Sequence, residues 1–357
     1  MVSSGRQNAP LIVVNEKWPV PPKIALSFEH DLVISEDGWD PVGLFLDNSG
    51  NICVISGNAL FKFDSAGRNI LRKEFRKGQG PGEFRGMDPA FAADGRIFIF
   101  DTMQHRITIL DERLEPAKIL KLGFFGSLLQ LDSQNRMYCL MMKALPGTTD
   151  VSRLVLTQYS DSGKFLKEFA ECRAGAKPDF QDVRHLAYFG PQLRYRIGPE
   201  DRVYYALTDR YEIAVASPDG TPLRKITKTG TTRKITEKER KKYVPEPQDK
   251  RRLTVIDLPE RMPPIADFFL LDDGFLLVVT FENGEDDPFL AGDLFDDKGI
   301  LQAQVQVPKY KAWDWLFFPT KSLAAWKDNR FYTIETDPTE ENPRVVRYKA
   351  VWKKAEK

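Results

Sequence analysis

The sequence predicts an all-β chain: a single six-bladed β-propeller with four antiparallel strands per blade. Three observations predict it. An apolar strand, a tight polar turn and a second apolar strand recur six times in the 357 residues. A second polar turn follows each of the first five copies by about one strand pair. The chain ends hold complementary fragments, three strands at the C-terminus and one ahead of the first copy.

The first turn runs Phe45–Ile52 (FLDNSGNI), Phe91–Ile97 (FAADGRI), Leu129–Arg136 (LQLDSQNR), Tyr195–Val203 (YRIGPEDRV), Phe269–Phe275 (FLLDDGF) and Leu323–Phe331 (LAAWKDNRF). The second runs Phe63–Gly67, Leu110–Arg113, Ser160–Gly163, Ser217–Gly220 and Asp296–Gly299. Asp suits such turns because its carboxylate accepts from its own following backbone, and Gly because it tolerates positive φ. Each unit therefore reads strand, turn, strand, loop, strand, turn, strand, the pattern of a propeller blade. Anchors at Asp47, Asp94, Asp132, Glu200, Asp272 and Lys327 lie 47, 38, 68, 72 and 55 residues apart, so the wider intervals carry insertions.

The last unit holds only Leu323–Lys327, Phe331–Glu335 and Arg344–Ala350. An open ring would expose an unpaired edge, so Lys23–Phe28 (KIALSF) is expected to close it as the outer strand. Residues 1–22, with Pro19, Pro21 and Pro22, read as an extended lead-in, and 23–357 as one propeller domain. A basic insertion at about 228–262 breaks the β rhythm. Within it Thr236 and Glu239 fit a capping box, predicting a short helix over Thr236–Tyr243 that Pro245 and Pro247 stop.

Composition bounds the function. Lys plus Arg number 52 and Asp plus Glu 51, for a net charge of +1, so nucleic acid is not an expected partner. The longest apolar run, Phe275–Phe281, falls far short of the ~20 residues of a membrane span, and Leu11–Val14 is too short for a secretory core. Cys53, Cys139 and Cys172 form no metal or disulfide pattern and are expected to be buried and inert. A monomer is expected.

Lys77–Phe84 (KGQGPGEF), then Pro89–Asp101 and His105–Asp111 (HRITILD), resembles the NHL-type propeller repeat. That repeat has a glycine-rich GPGxF loop, a proline-led inner strand, DGxIYVAD and NRIxVFD. Here His105 stands where the family often has Asn, and Phe98 where it often has Tyr. The match is specific over residues 43–111 and architectural from 195 onward. The chain looks like a broad bacterial group of six-bladed propellers, many of them exported or lipid-anchored and most without an assigned activity. The resemblance implies residence outside the cytoplasm. The motif itself reads as inter-blade structure, with Phe84 as a plug, since a phosphate loop needs a following helix and Lys-Ser/Thr.

Strand order sorts the loops onto two faces. Both turn types share one, while second-to-third-strand loops and blade-to-blade crossings share the other, where propellers tend to place function by fold analogy. That second face holds the odd segments. Residues 224–252 carry twelve Lys/Arg against four acids, and residues 282–297 carry seven acids and no base. The basic stretch reads as a solvated helix and loop or a docking arm for an anionic partner. The acidic run offers oxygens to calcium but lacks DxDxDG spacing.

These observations give a non-enzymatic scaffold that binds a protein, peptide or carbohydrate ligand, without a cofactor. Its expected binding residues are Arg85, His105, His185, Tyr188, Arg194, Trp313 and Trp315. For His105 a turn role is the plainer alternative, and for Trp313 and Trp315 the core. A second reading is similar to the calcium-dependent lactonases built on six-bladed propellers, with Asp40, Asp88 and Asp267 as carboxylates at the channel mouth. Short Asp-Pro turns account equally for Asp40 and Asp88. A third is a structural module serving another domain.

Overall fold

A computed structural model describes residues 9–16, 22, 24–122, 125–144, 151–173, 176–178, 183–187, 189–230, 232–244, 253–284, 286–310, 323–336 and 342–354. Six sheets of at least four strands follow one another around a central channel. Blade 1 spans Pro41–Leu46, Ile52–Ser56, Ala59–Phe63 and Asn69–Glu74, ordered from inside to outside, and every neighbouring pair is antiparallel. Blades 2, 3, 4 and 5 repeat this order with innermost strands Asp88–Phe91, Gly126–Leu131, Leu193–Ile197 and Asp267–Leu270.

Blade 6 is built from both ends of the chain. Ala324–Lys327, Arg330–Thr336 and Pro343–Lys354 supply three strands, and Ile24–Ile34 pairs antiparallel with the last as its outer edge. The expected closing strand is present and longer than the sequence indicated. Asp31 fastens it to Arg347 at 2.8 Å. Gly67 (φ +79°) abuts it from blade 1, where a Cβ would stand 2.9 Å from Leu32 Cδ1; both the left-handed backbone and the space call for glycine.

The turns explain their own composition. Asp47 Oδ1 accepts from the amides of Ser49 (3.0 Å) and Asn51 (2.8 Å). Asp64, Asp111, Asp132 and Asp296 make the same pair of bonds to the amides two and four residues on. Degenerate copies use other geometry. Pro199–Asp201 forms a 3-10 turn, and Asp328 and Asn329, at φ 52° and 54°, make a tight reversal with two left-handed residues.

The hydrophobic core lies between blades. Cys53, Ile55 and Leu60 of blade 1 pack with Ile97, Ile99 and Leu110 of blade 2, and Phe84 is wholly buried among them. Comparable clusters join blades 2 and 3, 3 and 4, and 4 and 5, while the largest ties blades 5, 6 and 1 together. All three cysteines are free, buried thiols, and burial pushes Cys172 up to about 11.

Two features go beyond the sequence reading. Leu11–Asn15, within the expected lead-in, is a fifth strand that pairs parallel with Pro222–Lys228 of blade 4. Its last residue, Asn15, bridges to blade 5 through Gly299 O (3.0 Å) and Leu301 N (2.9 Å). The long crossings contribute a small separate sheet of Ala176–Pro178, Val183–Ala187 and Leu253–Asp257. The helix of the basic insertion spans Glu237–Tyr243, with Thr236 as N-cap and the Thr236–Glu239 capping box complete.

Candidate functional site

All six innermost strands line one channel of about 360 Å³. Each runs from the inter-blade-loop face toward the turn face, so its first residues stand at the loop-face mouth. Leu129, Leu131, Ile197, Phe269, Leu270 and Trp326 give its wall apolar surface, and Asp88, Gln130, Arg196 and Lys327 line it with a nearly equal polar share.

A charged group sits between the innermost strands of blades 4 and 5. Arg196 donates to Asp267 at 2.9 Å and to Tyr195 O at 2.9 Å, with the rings of Phe268 and Phe269 at 5.7 and 5.3 Å beneath its guanidinium. Arg194 shares its side of the strand, because alternate residues of a strand point the same way. Burial lowers the Arg194 pKa, and Asp267, Arg196 and Tyr310 lie within electrostatic reach of it. Arg194 Nε and the buried hydroxyl of Tyr310 both lack a hydrogen-bond partner.

Of the sequence-predicted residues, Arg85 lies in the crossing from blade 1 to blade 2 and His105 in the second-to-third-strand loop of blade 2. Arg85 is exposed, its amide donating to the buried Asp101 at 3.1 Å. His105 sits at φ 53° and meets the Phe125 ring edge-on at 5.7 Å, while its carbonyl accepts from Leu122. The left-handed backbone explains why Asn suits this place in the repeat. His185 lies on the strand Val183–Ala187, and its side chain falls outside the described residues. Tyr188, Trp313 and Trp315 lie outside them altogether.

Asp40, Asp88 and Asp267 have separate surroundings. Asp40 is exposed, with its amide donating to Ser56 Oγ; Asp88 is buried and accepts from Leu129 N at 2.9 Å; Asp267 faces Arg196. Among the described residues no three His, Cys, Asp or Glu side chains converge as a metal site would require.

The GPGEF loop is held as architecture. Arg106 donates to the carbonyls of Gln79, Gly80 and Glu83, and Gln104 to Gly78 O, while Asp101 accepts from the amides of Arg85 and Gly86. The basic and acidic segments answer each other. Lys228 meets Asp293 at 2.7 Å and Glu282 at 3.2 Å, Lys238 meets Asp286 at 2.8 Å, and Lys309 donates to Asp287 O.

Sequence reasoning missed Arg196 and Tyr310. The alternation Arg194-Tyr195-Arg196 carried the signal for the first, since period two places both arginines on one side. Tyr310 lies beyond the last strand of blade 5, where no pattern marks it.

No family model matches the chain, and no curated protein matches it. Solved structures do. The "Putative exported protein" of Bacteroides fragilis is 13% identical, with 97% of this chain and 100% of that one covered and a TM-score of 0.56. A DUF4221-family member from Bacteroides vulgatus is 10% identical, with 94% and 99% covered and a TM-score of 0.55. Virginiamycin B lyase from Staphylococcus aureus matches at 10% identity over 91% and 99%, with a TM-score of 0.47. At such identities the first two show a shared fold, the six-bladed propeller.

Proposed function

We propose that this protein is a binding propeller that takes its ligand at the inter-blade-loop face of the channel. Two buried donors support the reading. On the turn face, Asp47, Asp64, Asp111, Asp132 and Asp296 direct carboxylates at their own backbone amides. Toward the loop face, Arg194 Nε and the Tyr310 hydroxyl are buried without a partner. An unanswered buried donor costs about 1–3 kcal/mol, which a ligand bond would offset.

We place the protein outside the cytoplasm in this reading. The exported description of the Bacteroides fragilis neighbour supports that placement. Among the described residues no helix is long and apolar enough to cross a membrane. Fractionation of producing cells checks this, and confinement to the cytosol would overturn it.

The binding test is a thermal-shift screen of peptides, oligosaccharides and small organic acids on the purified chain. Hits are retitrated against Arg85→Ala and Arg194→Gln on the loop face, and against Arg113→Ala on the turn face. Binding lost only on the loop face is expected; binding lost only with Arg113→Ala would overturn the assignment.

A further inference from the structure

The last apolar residue of each innermost strand lines the channel near its turn-face end: Leu46, Phe91, Leu131, Ile197, Leu270 and Trp326, one from every blade. Strand pairing sets them at equivalent places, each opposite an apolar residue of its blade's second strand, as Leu46 is opposite Ile52 and Trp326 opposite Phe331. All six are half-buried. At the loop-face ends of the same strands, Pro41, Asp88, Gly126, Leu193 and Ala324 are buried. The channel therefore opens toward the turn face, through an apolar collar that water touches.

The polar side chains of the channel are already answered. Asp88 accepts from Leu129 N at 2.9 Å, Gln130 joins Tyr195 O and Ile197 N at 3.1 Å each, and Trp326 Nε1 donates to Asp272 at 3.1 Å. Arg196 is held by Asp267 and the Tyr195 carbonyl. Lys327 Nζ donates to the carbonyls of Asp47 at 2.7 Å and Asn48 at 2.9 Å. Each innermost strand is also the edge of its sheet, so its unpaired amides and carbonyls face the channel as uncharged polar groups.

Charge selects a neutral ligand. Asp267 matches Arg196, and Asp88 balances Lys327 in sum, so the wall offers an ion no surplus counter-charge. An ion would give up hydration for nothing equivalent. What the channel leaves unanswered is apolar surface, whose covering is favourable at about 25 cal/mol per Å². An apolar cavity of about 150 Å³ holds benzene, so about 360 Å³ accommodates two fused rings with a few polar atoms.

We infer that the turn-face end of the channel binds a compact uncharged molecule, its apolar body inside the collar and its hydroxyl or carbonyl groups on the strand edges. The site lies at the opposite end from the loop-face reading and does not depend on it. Isothermal titration calorimetry of the full chain with naphthol, naphthalenesulfonate and naphthylmethylammonium at neutral pH tests it. Naphthol is expected to bind at least about tenfold more tightly than either ion. Leu131→Gln combined with Ile197→Gln makes two adjacent blades of the collar polar and should weaken naphthol by about tenfold or more. Arg113→Ala, on an outer turn of the same face, should leave it unchanged. If the double variant loses its native circular dichroism, Trp326→Phe decides the matter. Bound naphthol quenches tryptophan emission, and most of that quench should disappear with Trp326 while binding persists. No naphthol binding by the unmodified chain, equal affinity in a folded double variant, an unchanged quench in Trp326→Phe, or an ion bound as tightly as naphthol would each overturn the inference. Naphthol binding weakened by Arg85→Ala but not by the collar variants would move it to the loop face, and only the collar assignment would fall.

Discussion

Lys228 and Asp293 meet at 2.7 Å across the seam of blades 4 and 5, joining the most basic segment of the chain to the most acidic. Asp293 is wholly buried and also accepts from Tyr211 at 2.6 Å. Two segments that read from sequence as a solvated loop or docking arm, and as an acidic run without calcium-loop spacing, thus carry an internal ion pair.

Lys228→Met leaves that carboxylate buried without its cation, and we expect a loss of about 3–5 kcal/mol. Lys228→Met with Asp293→Leu should cost less than Lys228→Met alone. Burial already raises the Asp293 pKa, against the pull of Lys228 and Tyr211. A raised carboxyl holds its proton longer in the fold than unfolded, so its ionisation weakens the fold as pH rises past the ordinary value. The Lys228→Met loss should therefore shrink toward acid pH. Urea unfolding at pH 7 and pH 4.5 reads both effects, and a pH-independent loss would contradict them.

Glu239 behaves in the opposite sense. Burial raises its carboxyl, but hydrogen bonds from Arg233 (2.6 and 2.8 Å) and from Thr236 outweigh it and hold it down at about 2. A depressed carboxyl stabilises the fold fully above its unfolded value of 4.5, and that contribution is lost as pH falls toward 2. Glu239→Gln should cost about 2–3 kcal/mol at neutral pH, as a charge-assisted network does. The gap between variant and parent should close below pH 4.5. Denaturation midpoints at pH 7 and pH 3 measure it, and an undiminished gap at pH 3 would refute the assignment.

The GPGEF loop gives a third test. Phe84 is 0% exposed and meets Phe75 edge-on at 5.0 Å between blades 1 and 2. Phe84→Ala should lower stability by about 3–5 kcal/mol. The exposed Lys77 should tolerate alanine within about 0.5 kcal/mol. At His105, φ 53° favours Asn over a β-branched residue, so His105→Asn should be tolerated while His105→Val costs about 1–2 kcal/mol. Chemical denaturation ranks the four, and a costly Lys77→Ala would reopen a ligand role for the loop.

The ring was legible because its turns repeat a local chemistry. Asp47 and its counterparts bond to amides two and four residues away, so four or five residues state the whole arrangement. The closing strand was legible because three strands at one end need a fourth. The mouth was only half legible. Arg194 stood out by charge, but the pairing of its strand neighbour Arg196 with Asp267, some seventy residues on, is a long-range fact. The pairing of Lys228 with Asp293 hid for the same reason, since composition shows two charged runs and not that the fold sets them face to face. Leu11–Asn15 was missed because a parallel partner lies two hundred residues away.

Closure separates the two N-terminal strands. Ile24–Ile34 buries Leu26 and Ile34 against the core and pairs along Pro343–Lys354, so a chain starting at residue 36 would present that strand as an open edge. We expect it to aggregate or to lose cooperative unfolding. Leu11–Asn15 is mostly exposed and adds a fifth strand to a blade that already has four. A chain starting at residue 17 should stay folded, losing mainly the Asn15 bonds to Gly299 and Leu301, at about 1–3 kcal/mol. Size-exclusion chromatography with thermal unfolding distinguishes the two truncations. Equal stability of both would mean that pairing of the chain ends does not hold the ring shut.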